Sequence, residues 1–189
     1  MQETQKKKLQ ITATDMKIVI SIAICYITAE GMSLLGLVFT YEGTELEIIQ
    51  RMTSAIACLL VCQDNTALSR KAGINRMIIT AIGGIAGVVV AVLDTVIQRP
   101  WVMAVMVILG ILTTLVLCRA AGVPYINARI GGVTFVLVAC TLEQYARVYY
   151  ALFRFISTFY GAFVSVLITW IFGYFVSKRK GVDSQSEQG

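Results

Sequence analysis

Two arginines sit in the same short pattern. Arg76-Met77-Ile78-Ile79-Thr80-Ala81-Ile82-Gly83 and Arg154-Phe155-Ile156-Ser157-Thr158-Phe159-Tyr160-Gly161 both read R-x-x-x-T-x-x-G. On a helix, positions i, i+4 and i+7 share one face. A guanidinium attracts an anion, Thr80 or Thr158 offers a hydroxyl one turn deeper, and Gly83 or Gly161 leaves room for close approach. If each segment opens a helix, the dipole adds positive charge beside each arginine. The same residues also have a purely structural use. Small-xxx-small strips such as Gly83/Gly87 pack helices together. An arginine at a membrane edge can reach lipid phosphates. Packing is the commoner use of such glycines, and the arginines suit either use.

Other polar residues interrupt apolar sequence. Glu30 stands in Ala29-Glu30-Gly31, where a carboxylate must be paired, protonated or wet. It is a proton-coupling group or half of an internal ion pair. Asp64 and Asn65, in Gln63-Asp64-Asn65-Thr66, either form a solvated helix end with Asp64 near Arg70 or Lys71, or line an inner mouth against Arg76. Asp94 reads as solvated, and Glu143 reads as solvated or paired with Arg147 at i+4. Gly131-Gly132 would let a fifth span begin irregularly. Tyr145, Tyr149, Tyr150, Phe153, Phe155, Phe159 and Tyr160 read as an interfacial aromatic belt.

These groups need elements to hold them, and the composition says which. Of 189 residues, 57% are hydrophobic and 14% charged, against about a quarter charged in soluble domains. Mean hydropathy is +0.76. A water-facing globule this small cannot hide that much apolar surface, so a soluble enzyme and a disordered chain are both excluded. There is no histidine, which removes His-based acid–base chemistry and His-ligated metals. No metal site, cofactor motif, ATP-binding loop or nucleophile–base pair is legible. The five cysteines, Cys25, Cys58, Cys62, Cys118 and Cys140, lie in or beside apolar runs and read as buried thiols.

Six apolar runs approach the roughly 20 residues a crossing needs. They are Lys17–Thr40, Ile48–Thr66, Ile74–Ile97, Trp101–Arg119, Ile130–Gln144 and Ala151–Val176. The expected layout is a polar segment 1–16, a membrane domain 17–177 and a polar, disordered tail 178–189. The run from Ile18 is too long for a cleaved leader core and reads as a retained span. With the N-terminus inside, twelve of the sixteen basic residues fall on the cytoplasmic side, Arg119, Arg129 and Lys178–Lys180 among them. That asymmetry fits the positive-inside rule with both termini cytoplasmic. Net charge is +5, but the basic clusters mark sidedness and do not form a nucleic-acid surface.

The offset that carries Arg76 onto Arg154 also carries Gly87 onto Ser165 and Cys62 onto Cys140. The chain therefore reads as two halves of three spans, about 17–98 and 99–177. Three is odd, so the halves face opposite ways, as in many transporters. The expected fold is an all-α integral membrane protein built as inverted repeats, with Arg76 and Arg154 near opposite entrances.

The stretch Thr53–Val90, with QDNTALSRKAGINR followed by T-x-x-G-G-x-x-G, resembles the fusaric acid resistance and aromatic acid exporter superfamily. So does Tyr150–Phe172, with R-x-x-x-T-x-x-G. The resemblance implies efflux of aromatic or other organic carboxylates and a homodimer of the six-span unit. It carries the substrate or pore role to Arg76, Thr80, Gly83, Arg154, Thr158 and Gly161, with Asp64 and Asn65 close by. Distant plant relatives are dimeric malate channels with basic residues along the pore. Where members of the family often have a proline between spans two and three, this chain has Asp64-Asn65-Thr66.

The expectation is a transporter in the cell inner membrane, surrounded by lipid, needing no cofactor and possessing no enzymatic activity, with proton coupling through Glu30. The alternatives are an anion channel of the same family and a non-transporting scaffold. Cysteines placed at Lys7 and Lys180 are expected to react with an impermeant thiol reagent from the same, cytoplasmic side of intact membranes. Labelling from opposite sides overturns the six-span count.

Overall fold

The computed structural model describes residues 12–41, 43–141 and 146–186. The chain is mostly helical: α1 Ala13–Leu34, α2 Arg51–Val61, α3 Thr66–Ile97, α4 Pro100–Ala120, α5 Tyr125–Cys140 and α6 Ala146–Ser186, with strands β1 Val38–Tyr41 and β2 Thr44–Glu47 between the first two helices. Four helices, α1, α3, α4 and α6, are long and apolar enough to cross a membrane. The other two, α2 and α5, are apolar but shorter than the expected second and fifth spans. With 11 residues, α2 is about 16 Å long at 1.5 Å per residue, roughly half the hydrocarbon thickness.

Local chemistry explains each shifted boundary. Leu35 N–H donates to Gly31 O and Leu37 N–H to Met32 O at 3.0 Å, and Gly36 takes φ 73°. That left-handed residue closes α1, so the first span ends before Thr40. The next residues, Val-Phe-Thr-Tyr, are β-branched or aromatic and suit a strand. They pair antiparallel with β2, Phe39 opposite Leu46 and Thr40 opposite Glu45. This hairpin departs from the all-α expectation. Asn65 caps α3 by accepting from Ala67 N–H at 3.1 Å, so that helix begins at Thr66 and not near Ile74. Gly131-Gly132 lies inside α5, and no irregular start exists there. Helix α6 runs to Ser186, through most of the expected tail.

The packing order follows from named contacts. Gln50, Ala57, Cys58 and Cys62 meet Ser157, Gly161, Ser165 and Thr169 in that order, so α2 and α6 run parallel. Gly83 lies against Gly131 and Thr134, and Gly87 against Phe135 and Val138, so α3 and α5 run parallel. Gly73 faces Ala162 while Asp94 faces Arg147, so α3 and α6 are antiparallel. Helix α1 packs on α2 and α6, and α4 on α3 and α5.

Polarity is arranged inside out. Ser21, Ser54, Ser69, Thr114, Thr134, Ser157, Thr158 and Ser165 are fully buried. Most return a hydrogen bond to the carbonyl one turn back, as Thr114 does to Gly110 O at 2.7 Å. Leu109, Leu112 and Val116 on α4 are exposed, as suits lipid. Cys25, Cys58, Cys62 and Cys118 are buried, Cys140 is exposed, and all are free thiols. The Cys25 and Cys58 sulfurs approach to 3.5 Å across the α1–α2 contact.

Two crossings leave no room for a side chain. A Cβ on Gly83 would sit 2.5 Å from Gly131 O, and one on Gly161 would sit 2.5 Å from Ser54 O. Backbone must shift to admit either. Gly83→Ala and Gly161→Ala are each expected to destabilise the protein by about 1–3 kcal/mol, read by unfolding in mixed micelles. Gly84→Ala, which meets nothing within 4 Å, is expected to leave stability unchanged.

Candidate functional site

The two signature arginines lie inside the helix bundle. Arg76 is 3% exposed and Arg154 5%. Helix α3 starts at Thr66, so Arg76 lies roughly three turns in, beyond the reach of the N-terminal dipole. Because α3 and α6 run antiparallel, the arginines converge. The Arg154 charge acts on Arg76, and both lie within the bundle, whereas the expectation set them near opposite entrances.

Their partners differ. Arg154 Nη1 donates to Thr53 Oγ1 at 3.2 Å and to the Tyr150 hydroxyl at 3.3 Å, while its Nε has no partner. Arg76 Nε and Nη1 both lack partners. Beside Arg76 is a cavity of about 40 Å³, lined by Leu60, Ala72, Asn75, Ile79, Asn127 and Ile130. Arg154 therefore faces the first turn of α2, and Arg76 faces the first turns of α5.

The threonines also diverge. Thr158 donates to Arg154 O at 2.8 Å, whereas the buried Thr80 hydroxyl has no partner. Thr80 edges an apolar groove of about 380 Å³ between α3 and α6, with Gly84, Val88, Ala151, Leu152 and Phe155. Gly83 and Gly161 are occupied by neighbouring backbone, so the structure gives them the packing role. Asp64 accepts from Thr14 Oγ1, and its carbonyl accepts from Lys17 Nζ at 3.1 Å. Asp64 thus ties the α2–α3 turn to the start of α1, not to Arg70 or Lys71. With Asn65 used as a cap, neither residue lines the Arg76 cavity.

Three acids elsewhere pair with arginines. Glu30 Oε2 accepts from Arg51 Nη1 at 2.6 Å, and Glu47 Oε1 accepts from Arg51 Nε at 2.8 Å and also from its Nη2. Arg51 thereby joins α1, β2 and α2. Asp94 is not merely solvated, since it pairs with Arg147 at 3.1 Å. Glu143 and Tyr145 lie outside the described residues. Part of the expected aromatic belt is the hairpin's seat. Phe39 meets Tyr149 at 4.9 Å and Phe153 at 5.5 Å, and Tyr41 meets Tyr149 at 5.1 Å. Among the described residues, no three His, Cys, Asp or Glu side chains converge as a metal site would require.

Sequence reasoning missed Asn75, Asn127 and Thr53. Asn127 fell in an expected loop because the fifth span was started at Ile130. Its separation from Arg129 and Tyr125 within an apolar helix is visible only once α5 is known to start earlier.

With this geometry in view, a family model described as fusaric acid resistance protein-like matches residues 32–168. The chain belongs to that family of membrane transport and resistance proteins. Neither a curated protein nor a solved structure matches it.

The hairpin contact gives a pH prediction. Burial pushes the Glu47 carboxyl up, but hydrogen bonds from the Arg51 side chain and backbone, together with its charge, outweigh that and hold Glu47 below the ordinary value. A depressed carboxylate contributes stability above its unfolded pKa, near 4.3, which is lost as pH falls through the lower folded value. Hydrogen-exchange protection of the hairpin amides is expected to hold from about pH 7 to 5 and to fall below about 4. Glu47→Gln should remove that dependence, and an unchanged profile would show that the contact does not secure the hairpin.

Proposed function

We propose that the chain is a membrane transporter that exports aromatic or other organic carboxylates, with Arg76 and Arg154 as the groups that draw the anion in. One observation carries this reading. Two guanidiniums are buried together, no carboxylate among the described residues pairs with either, and three of their nitrogens have no partner. An uncompensated buried charge costs several kcal/mol, and a passing anion relieves that cost.

The wider plan is part of the proposal. Six passages cross the inner membrane, the second and fifth built on the short helices α2 and α5 together with the residues that flank them, with both termini cytoplasmic and two copies forming a dimer. The halves are inverted repeats. The contact pattern supports this: exchanging α1–α3 with α4–α6 turns the α3–α5 contact into α6–α2, α1–α2 into α4–α5, and α1–α6 into α4–α3. The α3–α6 contact maps onto itself with antiparallel helices. Proton coupling would run through Glu30, whose pairing with Arg51 ties α1 to α2.

A scaffold that transports nothing is the second reading, favoured by the backbone contacts at Gly83 and Gly161. Flux of labelled 4-hydroxybenzoate from proteoliposomes separates the two. Arg76→Gln and Arg154→Gln are each expected to slow it about tenfold or more, the loss of one charge-assisted contact, with unfolding midpoints retained. Undiminished flux in both variants removes the arginines from the mechanism, and no flux in the unaltered protein favours the scaffold.

A further inference from the structure

The cavity beside Arg76 is small, polar and distinct from the apolar grooves. It measures about 40 Å³, room for a few water-sized bodies at roughly 10–15 Å³ each and far below the about 150 Å³ of a cavity that takes benzene. One small ion fits and an aromatic ring does not. The guanidinium is 3% exposed, and its Nε and Nη1 have no partner. The lining adds two side-chain amides, Asn75 from α3 and Asn127 from α5, each able to turn NH₂ donors inward. Among the described residues no acid pairs with Arg76: the ion pairs use Arg51 and Arg147, and Arg154 adds like charge that repels it. Water would satisfy the donors but leave the charge uncompensated.

We propose that Arg76, Asn75 and Asn127 form a resident site for a monatomic halide such as chloride, in a cavity that excludes the ring of an organic acid. The halide neutralises one of the two converging cations and lets α3 pack against α5 at the level of Arg76. The inference rests on Arg76 being an anion-binding group. It does not require that the chain moves organic acids.

The full chain in lipid nanodiscs provides the test, with sodium gluconate replaced by sodium chloride or bromide at fixed ionic strength. The unfolding midpoint is expected to rise saturably with either halide. Arg76→Gln should abolish the rise. Asn127→Leu should move half-saturation up by roughly tenfold, the loss of one hydrogen bond to a charge. Arg129→Gln, at an exposed position, should change nothing. No rise in the unaltered protein, or the same rise in Arg76→Gln, overturns the site. Should Arg76→Gln fail to fold, crystals of the unaltered protein in bromide decide: an anomalous peak beside Arg76 Nε supports the site, and its absence overturns it. Hydroxybenzoate flux measured in parallel separates the two ideas. Flux that needs Arg76 without any halide response sinks the halide site alone. A halide response without flux keeps the site and sinks the transport reading.

Discussion

Helices in lipid gain nothing hydrophobic by touching, so their contacts rest on close packing and hydrogen bonds. Here two crossings bring backbone closest to backbone: Gly83 against the Gly131 carbonyl and Gly161 against the Ser54 carbonyl. Each seats a short helix on a long one with backbone nearly touching backbone. The serine and threonine hydroxyls buried there mostly bond the carbonyl one turn back on their own chain, so close packing leaves few of them unpaired, and the large apolar side chains turn outward. The close packing also fixes where Arg76 and Arg154 stand. Each lies about two turns before its glycine, on a helix that cannot rotate without driving a Cβ into a neighbour.

Charge inside the bundle is then a matter of company. Arg51 has Glu30 and Glu47, and Arg147 has Asp94. Arg154 has two neutral oxygens, and Arg76 has unpartnered nitrogens and a small cavity. The matched pairs stitch elements together at the bundle's edges. The unmatched pair sits at the α3–α6 contact, where antiparallel helices bring the two halves of the chain face to face. A positive, poorly compensated interior disfavours cations and favours anions before any detail of shape is considered.

Much of this was legible in the residues. The R-x-x-x-T-x-x-G pair marked the two helices that meet at the centre, and the apolar composition marked the membrane. Boundaries were not legible, for physical reasons. Apolar runs do not reveal where a helix stops, and the residues that stopped these helices were local. Gly36 ended α1 through its positive φ, and Asn65 began α3 through its side-chain cap. The hairpin was hidden because Val-Phe-Thr-Tyr is as hydrophobic as a span and too short to show alternation. The surroundings of Arg76 and Arg154 were hidden because Asn127, beside the first, and Thr53, bonded to the second, come from helices far away in the chain. Thr80 and Thr158 hold equivalent positions, yet only Thr158 bonds to the carbonyl before it, a difference no pattern of letters contains.

The distribution of sulfur has a practical side. Cys25, Cys58, Cys62 and Cys118 are at most 3% exposed, while Cys140 stands open at the end of α5. The native chain thus carries one ready reporter position. A maleimide dye should attach with a stoichiometry near one per chain and mark the far end of a short helix. Any scanning scheme that introduces new thiols must first replace that single background residue, and can leave the other four in place.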